Sequence, residues 1–102
     1  MATLTFKNSL NYYQDTGFFQ NLEINRGIER ESLRVDQDGS ISQADHPEKL
    51  GSPLTNADIT TDFAEALVEL VTPTFNSAEG LFSHLSRLHH FLYSAMEDEL
   101  LW

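Results

Sequence analysis

Two glutamates spaced two residues apart, Glu29 and Glu31, are the residues of this sequence that most directly suggest chemistry. The alternating side-chain types around them are typical of a β-strand. In a strand, side chains at i and i+2 point to the same face about 6.6 Å apart, so both carboxylates can converge on one cation. Leu33 and Val35 share that face, which predicts partial burial, and half-buried carboxylates need a cation or basic partners.

A simpler interpretation of the same strand stays open. Arg30 and Arg34 lie on the opposite face. Ion pairs could make that face the buried one, and both glutamates would then be exposed to water. Periodicity alone does not choose between the two interpretations.

Residues 63–72 form a second acidic segment, and their pattern fits either a strand or a helix. As a strand, it places Glu65 and Glu69 on one face beside apolar residues; as a helix, it makes them an ordinary i, i+4 pair. Val68, Val71 and the following Pro73 favour the strand. A second acidic strand beside the first would gather oxygen ligands of the kind that suit Mg²⁺ or Mn²⁺.

Composition excludes several classes of function. The 102 residues include 16 acids and 6 Lys or Arg, a net charge of −10, and no cysteine. Phosphate-backbone binding needs clustered bases, so we expect no nucleic-acid partner. Without cysteine there is no disulfide, thiolate zinc site or cysteine nucleophile. No apolar run has the length of a membrane span and the N-terminus does not resemble a signal peptide, so we expect no membrane partner and a cytoplasmic location.

Other known site patterns do not fit. The spacing after Asp36 and Asp38 is not that of an EF-hand, and His84, His89 and His90 lack the spacing of a helical metal pair. There is also no glycine-rich phosphate loop. Any nucleotide phosphate would therefore have to be held through metal ions.

The rest of the pattern predicts an α+β chain with a single domain over residues 1–102. Asp38-Gly39 predicts a hairpin turn, because glycine accepts the positive φ that such turns need. A cap at Asn76 or Ser77, followed by leucines at helical spacing, predicts a long last helix, and a chain that ends there on Trp102 looks cut. The expected elements are a helix at about 3–14, strands at about 24–35, 40–42 and 63–72, and a helix at about 77–100.

Two longer blocks of sequence resemble a known family. Residues 24–35 read Ile-Asn-Arg-Gly-Ile-Glu-Arg-Glu-Ser-Leu-Arg-Val, and residues 59–69 read Ile-Thr-Thr-Asp-Phe-Ala-Glu-Ala-Leu-Val-Glu. Together with His46-Pro47 between them, they resemble the N-terminal part of the proteobacterial form of glutamate–cysteine ligase (γ-glutamylcysteine synthetase). The resemblance covers about residues 24–73 and is looser in the helix that follows.

The resemblance implies the N-terminal portion of a glutamine-synthetase-like catalytic sheet, with antiparallel strands flanked by helices. It also implies an ATP-dependent ligase that joins the γ-carboxyl of L-glutamate to the amine of L-cysteine, the first step of glutathione synthesis. By position, Glu29, Glu31 and Glu69 would be ligands of Mg²⁺ or Mn²⁺. Asp62 would be a metal ligand at the cysteine end of the site and our candidate for orienting the amine or relaying its proton. Phe63 would line the cysteine pocket.

Members of that family have several hundred residues. We therefore expect an N-terminal fragment that is inactive alone and whose partners are L-glutamate, L-cysteine, ATP and the missing C-terminal part of the enzyme. Two other interpretations stay open. One is a short binding module that keeps metal or glutamate affinity without catalysis, and the other is an acidic interaction domain whose carboxylates only provide solubility.

Overall fold

The computed structural model describes residues 5–102, which contain two helices and one four-stranded sheet. The elements are α1 (Phe6–Asp15), β1 (Glu29–Val35), β2 (Ile59–Thr60), β3 (Leu67–Val71), α2 (Ala78–Met96) and β4 (Leu100–Leu101), with 3₁₀ turns at Phe18–Gln20 and Glu48–Leu50. The strand order is β2-β3-β1-β4, and every neighbouring pair is antiparallel. The predicted α+β fold class with antiparallel strands is confirmed.

The sheet has one face covered by α2 and one face that neither helix covers. The core joins Ile59, Val68 and Leu70 of the sheet to one side of α2. Residues directly opposite each other in an antiparallel pair point to the same face. Arg30 is opposite Leu70, so the arginines of β1 lie on the covered face. Glu29 and Glu31 lie on the other face, and both are exposed.

Helix α2 begins where the sequence predicts but ends earlier. The Ser77 hydroxyl accepts a hydrogen bond from the Gly80 N–H at 3.1 Å, which caps the first turn. Its core-facing residues recur at helical spacing and include Leu81, Leu88, Leu92, Ala95 and Met96. The predicted end near residue 100 is wrong. The helix stops at Met96, Glu97 takes a φ of 58°, and Leu100 and Leu101 instead pair with β1 as β4.

The strand boundaries also differ from those predicted. In the segment predicted as a strand at about 24–35, β1 begins only at Glu29. One isolated bridge, between Arg26 and Phe75, precedes it. The strand predicted for residues 40–42 is reduced to a bridge between Val35 and Ile41, although Gly39 has the expected positive φ of 86°.

The last predicted strand is shorter, and one strand was missed. In the segment predicted as a strand over residues 63–72, β3 starts only at Leu67, because residues 63–66 form a turn. The Leu67 N–H donates to the Ala64 carbonyl at 3.1 Å and closes this turn. Strand β2 lies inside a segment predicted as loop. It is only two residues long, too short for an alternation pattern to show.

The N-terminal segment extends away from this core. The predicted helix at about 3–14 is observed as α1, and residues 3 and 4 lie outside the described part of the chain. None of the residues of α1 is buried. The radius of gyration is 20.4 Å, against about 13 Å for a compact domain of this length. Within residues 5–102, neither helix is long and apolar enough to cross a membrane.

Candidate functional site

Three glutamates share the uncovered face of the sheet, which we call the acidic face. Glu31 lies directly opposite Glu69, and Glu29 lies opposite Val71 on the same side. Directly opposite residues in an antiparallel pair have Cβ atoms about 5 Å apart. The two neighbouring strands thus bring their acidic side chains together, as the strand interpretation of residues 63–72 requires.

The electrostatics of Glu69 reflect this crowding. Burial raises the pKa of the Glu69 carboxyl above its ordinary value, and nearby negative charges raise it further. Those charges belong to Glu29, Glu31 and Asp62, in decreasing order of effect. A raised carboxyl pKa means that its anion is disfavoured, so a proton or a cation bound here would be stabilised.

Asp62 and Phe63 lie just after β2 and beside the acidic face. Both side chains are exposed, Phe63 to 84%. Phe63 opens the turn that leads into β3, and the Asp62 charge is one of those that raise the pKa of Glu69. Of the five predicted site residues, Glu29, Glu31 and Glu69 thus share one face, Asp62 acts electrostatically on Glu69, and Phe63 follows Asp62 in the chain.

The turn over residues 63–66 is anchored by Arg34. The Arg34 guanidinium is fully buried and donates to the Glu65 carbonyl at 3.1 Å and to the Ala44 carbonyl at 3.0 Å. Its own backbone N–H donates to the Ala66 carbonyl at 2.8 Å. A rigid anchor of this kind holds the start of β3, and the residues just before it, against β1.

The buried charge of Arg34 is compensated by an acid from the far end of the chain. Arg34 donates to the Glu99 carboxylate at 2.6 Å, and the Glu99 side chain is only 14% exposed. The alternative interpretation of β1 is therefore right for Arg34, which is buried and ion-paired, and for both glutamates, which are exposed, whereas Arg30 is exposed and Val35, on the glutamate face, is buried. Glu99 itself was missed, because no local pattern connects residues 65 positions apart.

The donor set of the acidic face fits a hard divalent cation, but the set is incomplete. Carboxylate oxygens are the ligands that Mg²⁺ and Mn²⁺ prefer, and no arginine of β1 points to this face. Within residues 5–102, however, no group of three His, Cys, Asp or Glu side chains is arranged to hold a metal ion. The face thus has the right chemistry for Mg²⁺ without a closed coordination shell.

Comparison with known proteins identifies the family. A family model described as glutamate-cysteine ligase matches residues 10–102. A glutamate–cysteine ligase from Saccharophagus degradans is 51% identical over 79 residues, which is 78% of this chain and 15% of that protein. One from Pseudoalteromonas translucida is 47% identical over 103 aligned positions, 100% of this chain and 20% of that protein.

Solved structures agree with the sequence comparison. A glutamate–cysteine ligase from Francisella tularensis in complex with AMP superposes with a TM-score of 0.73 and 42% identity, covering 76% of this chain and 16% of that one. A bifunctional glutathione synthetase from Pasteurella multocida gives a TM-score of 0.71 at 38% identity, covering 74% and 11%. The chain spans about a fifth or less of the length of these relatives. It belongs to the glutamate–cysteine ligase family.

Proposed function

We propose that this chain forms the N-terminal part of a ligase that couples ATP cleavage to the joining of L-glutamate and L-cysteine. The observation that carries the proposal is the Glu31–Glu69 pairing on the acidic face, in a chain whose relatives are glutamate–cysteine ligases. The relative from Francisella tularensis is described in complex with AMP, which supports a nucleotide site in this family. The proposal places the enzyme in the cytoplasm.

The proposed reaction has two steps. The γ-carboxylate of glutamate is a poor electrophile, so it first accepts the terminal phosphoryl group of ATP to give γ-glutamyl phosphate and ADP. The amine of cysteine then attacks the activated carbonyl carbon, phosphate leaves, and the amine loses a proton as the amide forms. Phosphoryl transfer depends mainly on positioning and on neutralising the phosphate oxygens.

The residues of the acidic face have distinct roles in this proposal. Glu29, Glu31 and Glu69 would hold Mg²⁺ or Mn²⁺, and Asp62 would add a ligand at the cysteine end. The bound cation would neutralise the charge on the phosphate oxygens. Asp62 would also orient the attacking amine or accept its proton, and Phe63 would line the pocket for cysteine.

The chain alone is proposed to be inactive. It covers 20% of the length of the relative that matches all of it. No three metal-binding side chains within residues 5–102 are arranged to hold a metal ion. In this proposal the remaining polypeptide is the main partner of this chain and supplies the other ligands of the site.

A chimaeric enzyme tests the proposal. This chain would replace the matching N-terminal fifth of the Pseudoalteromonas translucida ligase, and ADP release would be measured with glutamate, cysteine and Mg²⁺. We expect turnover that needs both amino acids and falls at least about a hundredfold in Asp62→Asn, since positioned acid–base groups contribute about 10²–10⁴. A folded chimaera without turnover would contradict the ligase proposal and leave the binding-module or interaction-domain interpretation.

A further inference from the structure

Glu65 is a carboxylate that the acidic face does not use. It lies in the turn over residues 63–66, just before β3 begins, and the His46 N–H donates to its Oε1 atom at 3.1 Å. The charges that raise the pKa of Glu69, after burial, do not include that of Glu65. The structure thus gives the Glu65 carboxylate a backbone partner and no place among the charges that act on Glu69.

The hydrogen bond from His46 joins two segments that are distant in the chain. It links the loop before the 3₁₀ turn at Glu48–Leu50 to the turn before β3, across 19 residues. Arg34 joins the same two segments from the buried side, since its guanidinium donates to the Ala44 carbonyl at 3.0 Å and to the Glu65 carbonyl at 3.1 Å. Glu65 is therefore held twice, through its carbonyl from inside the protein and through its carboxylate at the surface.

The segment that Glu65 holds carries Asp62 and Phe63. This connection runs from the end of β2 at Thr60 to the start of β3 at Leu67. Both Asp62 and Phe63 are exposed, so the packing of their own side chains contributes little to their position. Their placement depends instead on how firmly the two ends of the connection are held, and Glu65 belongs to the end beside β3.

We propose that Glu65 is a positioning residue for cysteine binding. By accepting the His46 N–H, its carboxylate fixes the turn and thereby keeps Phe63 and Asp62 in place beside the acidic face. The inference rests on the proposed function, in which Phe63 lines the cysteine pocket and Asp62 orients the amine. Glu65 acts only through the turn, so its loss should affect cysteine rather than glutamate or ATP.

Two variants of Glu65 in the chimaera described above test this role. Glu65→Ala removes the acceptor, whereas Glu65→Gln keeps a side-chain oxygen that can accept from the His46 N–H. In Glu65→Ala we expect the KM for cysteine to rise about tenfold, the factor that a hydrogen bond to a charged group contributes. The KM values for glutamate and ATP should not change, and Glu65→Gln should resemble the unmodified chimaera. A mere loss of folded enzyme would instead lower kcat and leave every KM unchanged.

Asp45→Ala is the matched control. Asp45 is an exposed carboxylate in the same loop and directly precedes His46 in the chain. Removing it changes the net charge as Glu65→Ala does, but leaves the hydrogen bond to the turn in place, so all three KM values should stay unchanged. Circular dichroism checks that each variant is folded. If Glu65→Ala does not fold, Glu65→Met takes its place, because methionine keeps the aliphatic stem and lacks the carboxylate.

Amide relaxation measured by NMR on the 102-residue chain gives a readout that does not depend on activity. In Glu65→Ala the backbone order parameters of Asp62 and Phe63 should fall from about 0.85, typical of a rigid backbone, to below about 0.6. The turn then has only the Arg34 hydrogen bonds to fix it. Glu65→Gln and Asp45→Ala should keep the values of the unmodified chain.

Several results would overturn the proposal. One is an unchanged KM for cysteine in Glu65→Ala, and another is an equal rise of all three KM values. An equal effect of Glu65→Ala and Glu65→Gln would make the charge, and not the hydrogen bond, the cause. Order parameters that are the same in all variants would also contradict it. A chimaera without turnover, in a chain whose Phe63 loses order only in Glu65→Ala, would contradict the proposed function and support the role of Glu65 in holding the turn.

Discussion

Glu31 lies directly opposite Glu69 in the antiparallel pair of β1 and β3, and both carboxylates point away from the helix-covered side of the sheet. Opposed like charges cost stability unless a cation lies between them. A divalent cation bound between these carboxylates, as we propose, would stabilise the chain, and this stabilisation can be measured on the isolated chain.

The first prediction concerns cation binding. We expect weak, saturable binding of Mn²⁺ by the isolated chain. Glu31→Gln or Glu69→Gln should weaken this binding by at least about tenfold, because even residues that only orient a metal ligand contribute about 10–100-fold to metal affinity. Isothermal titration calorimetry or Mn²⁺ electron paramagnetic resonance measures the affinity. The exposed Glu23, which lies outside the acidic face, gives the matched control Glu23→Gln. Equal weakening in all three variants would indicate unspecific attraction by the negative charge.

The second prediction concerns the pH dependence set by Glu69. Its pKa is raised by burial and by neighbouring carboxylates, so its ionisation costs stability as the pH rises above the ordinary glutamate value. Glu69→Gln should therefore raise the melting temperature at pH 7, and the gain should vanish below pH 4, where the carboxyl is protonated in both states. Circular dichroism at the two pH values measures the effect. A destabilised Glu69→Gln at pH 7 without metal would contradict it, and Glu23→Gln is again the control.

The third prediction concerns the buried pair of Arg34 and Glu99. Arg34→Met leaves the Glu99 carboxylate without its partner and removes the anchor of the turn over residues 63–66. Breaking a buried ion pair from one side costs about 3–5 kcal/mol, which urea unfolding can measure. Arg34→Lys keeps the positive charge, but the lysine ammonium cannot reach the Glu99 carboxylate and the Ala44 and Glu65 carbonyls together. We therefore expect a smaller loss of unfolding free energy than in Arg34→Met. A loss below about 1 kcal/mol in Arg34→Met, the level of surface pairs, would contradict the structural role assigned to this side chain.

The fourth prediction concerns His46. Burial lowers the pKa of its imidazole, the Arg34 charge lowers it further, and Glu65 opposes the shift. Because the folded state then binds fewer protons than the unfolded state, stability is fully present above the ordinary histidine pKa and is lost as the pH falls below about 6.5.

Replacing His46 with leucine should reduce this loss of stability at low pH. The slope of unfolding free energy against pH between 7 and 5 should be smaller in His46→Leu than in the unmodified chain. His89 has a pKa lowered in the same direction, first by burial and then by Arg30 and His90, so some slope should remain. An unchanged slope in His46→Leu would show that His46 does not titrate differently in the two states.

The sequence by itself determined the features that depend on local spacing. Alternation in residues 27–35 places Glu29 and Glu31 on one face, the Ser77 cap begins α2, and the long motifs around Glu29 and Asp62 identify the family. These features could be predicted because periodicity, capping and family motifs are written in neighbouring residues.

Only the tertiary structure decided which face of the sheet is covered and where the elements end. Helix α2 stops at Met96 because Leu100 and Leu101 pair with β1, and Glu99 meets Arg34 from 65 residues away. The start of β3 at Leu67 likewise depends on hydrogen bonds from Arg34 to Glu65 and Ala66. Such contacts join distant segments, and their energies appear only when the chain is folded, so no local pattern can encode them.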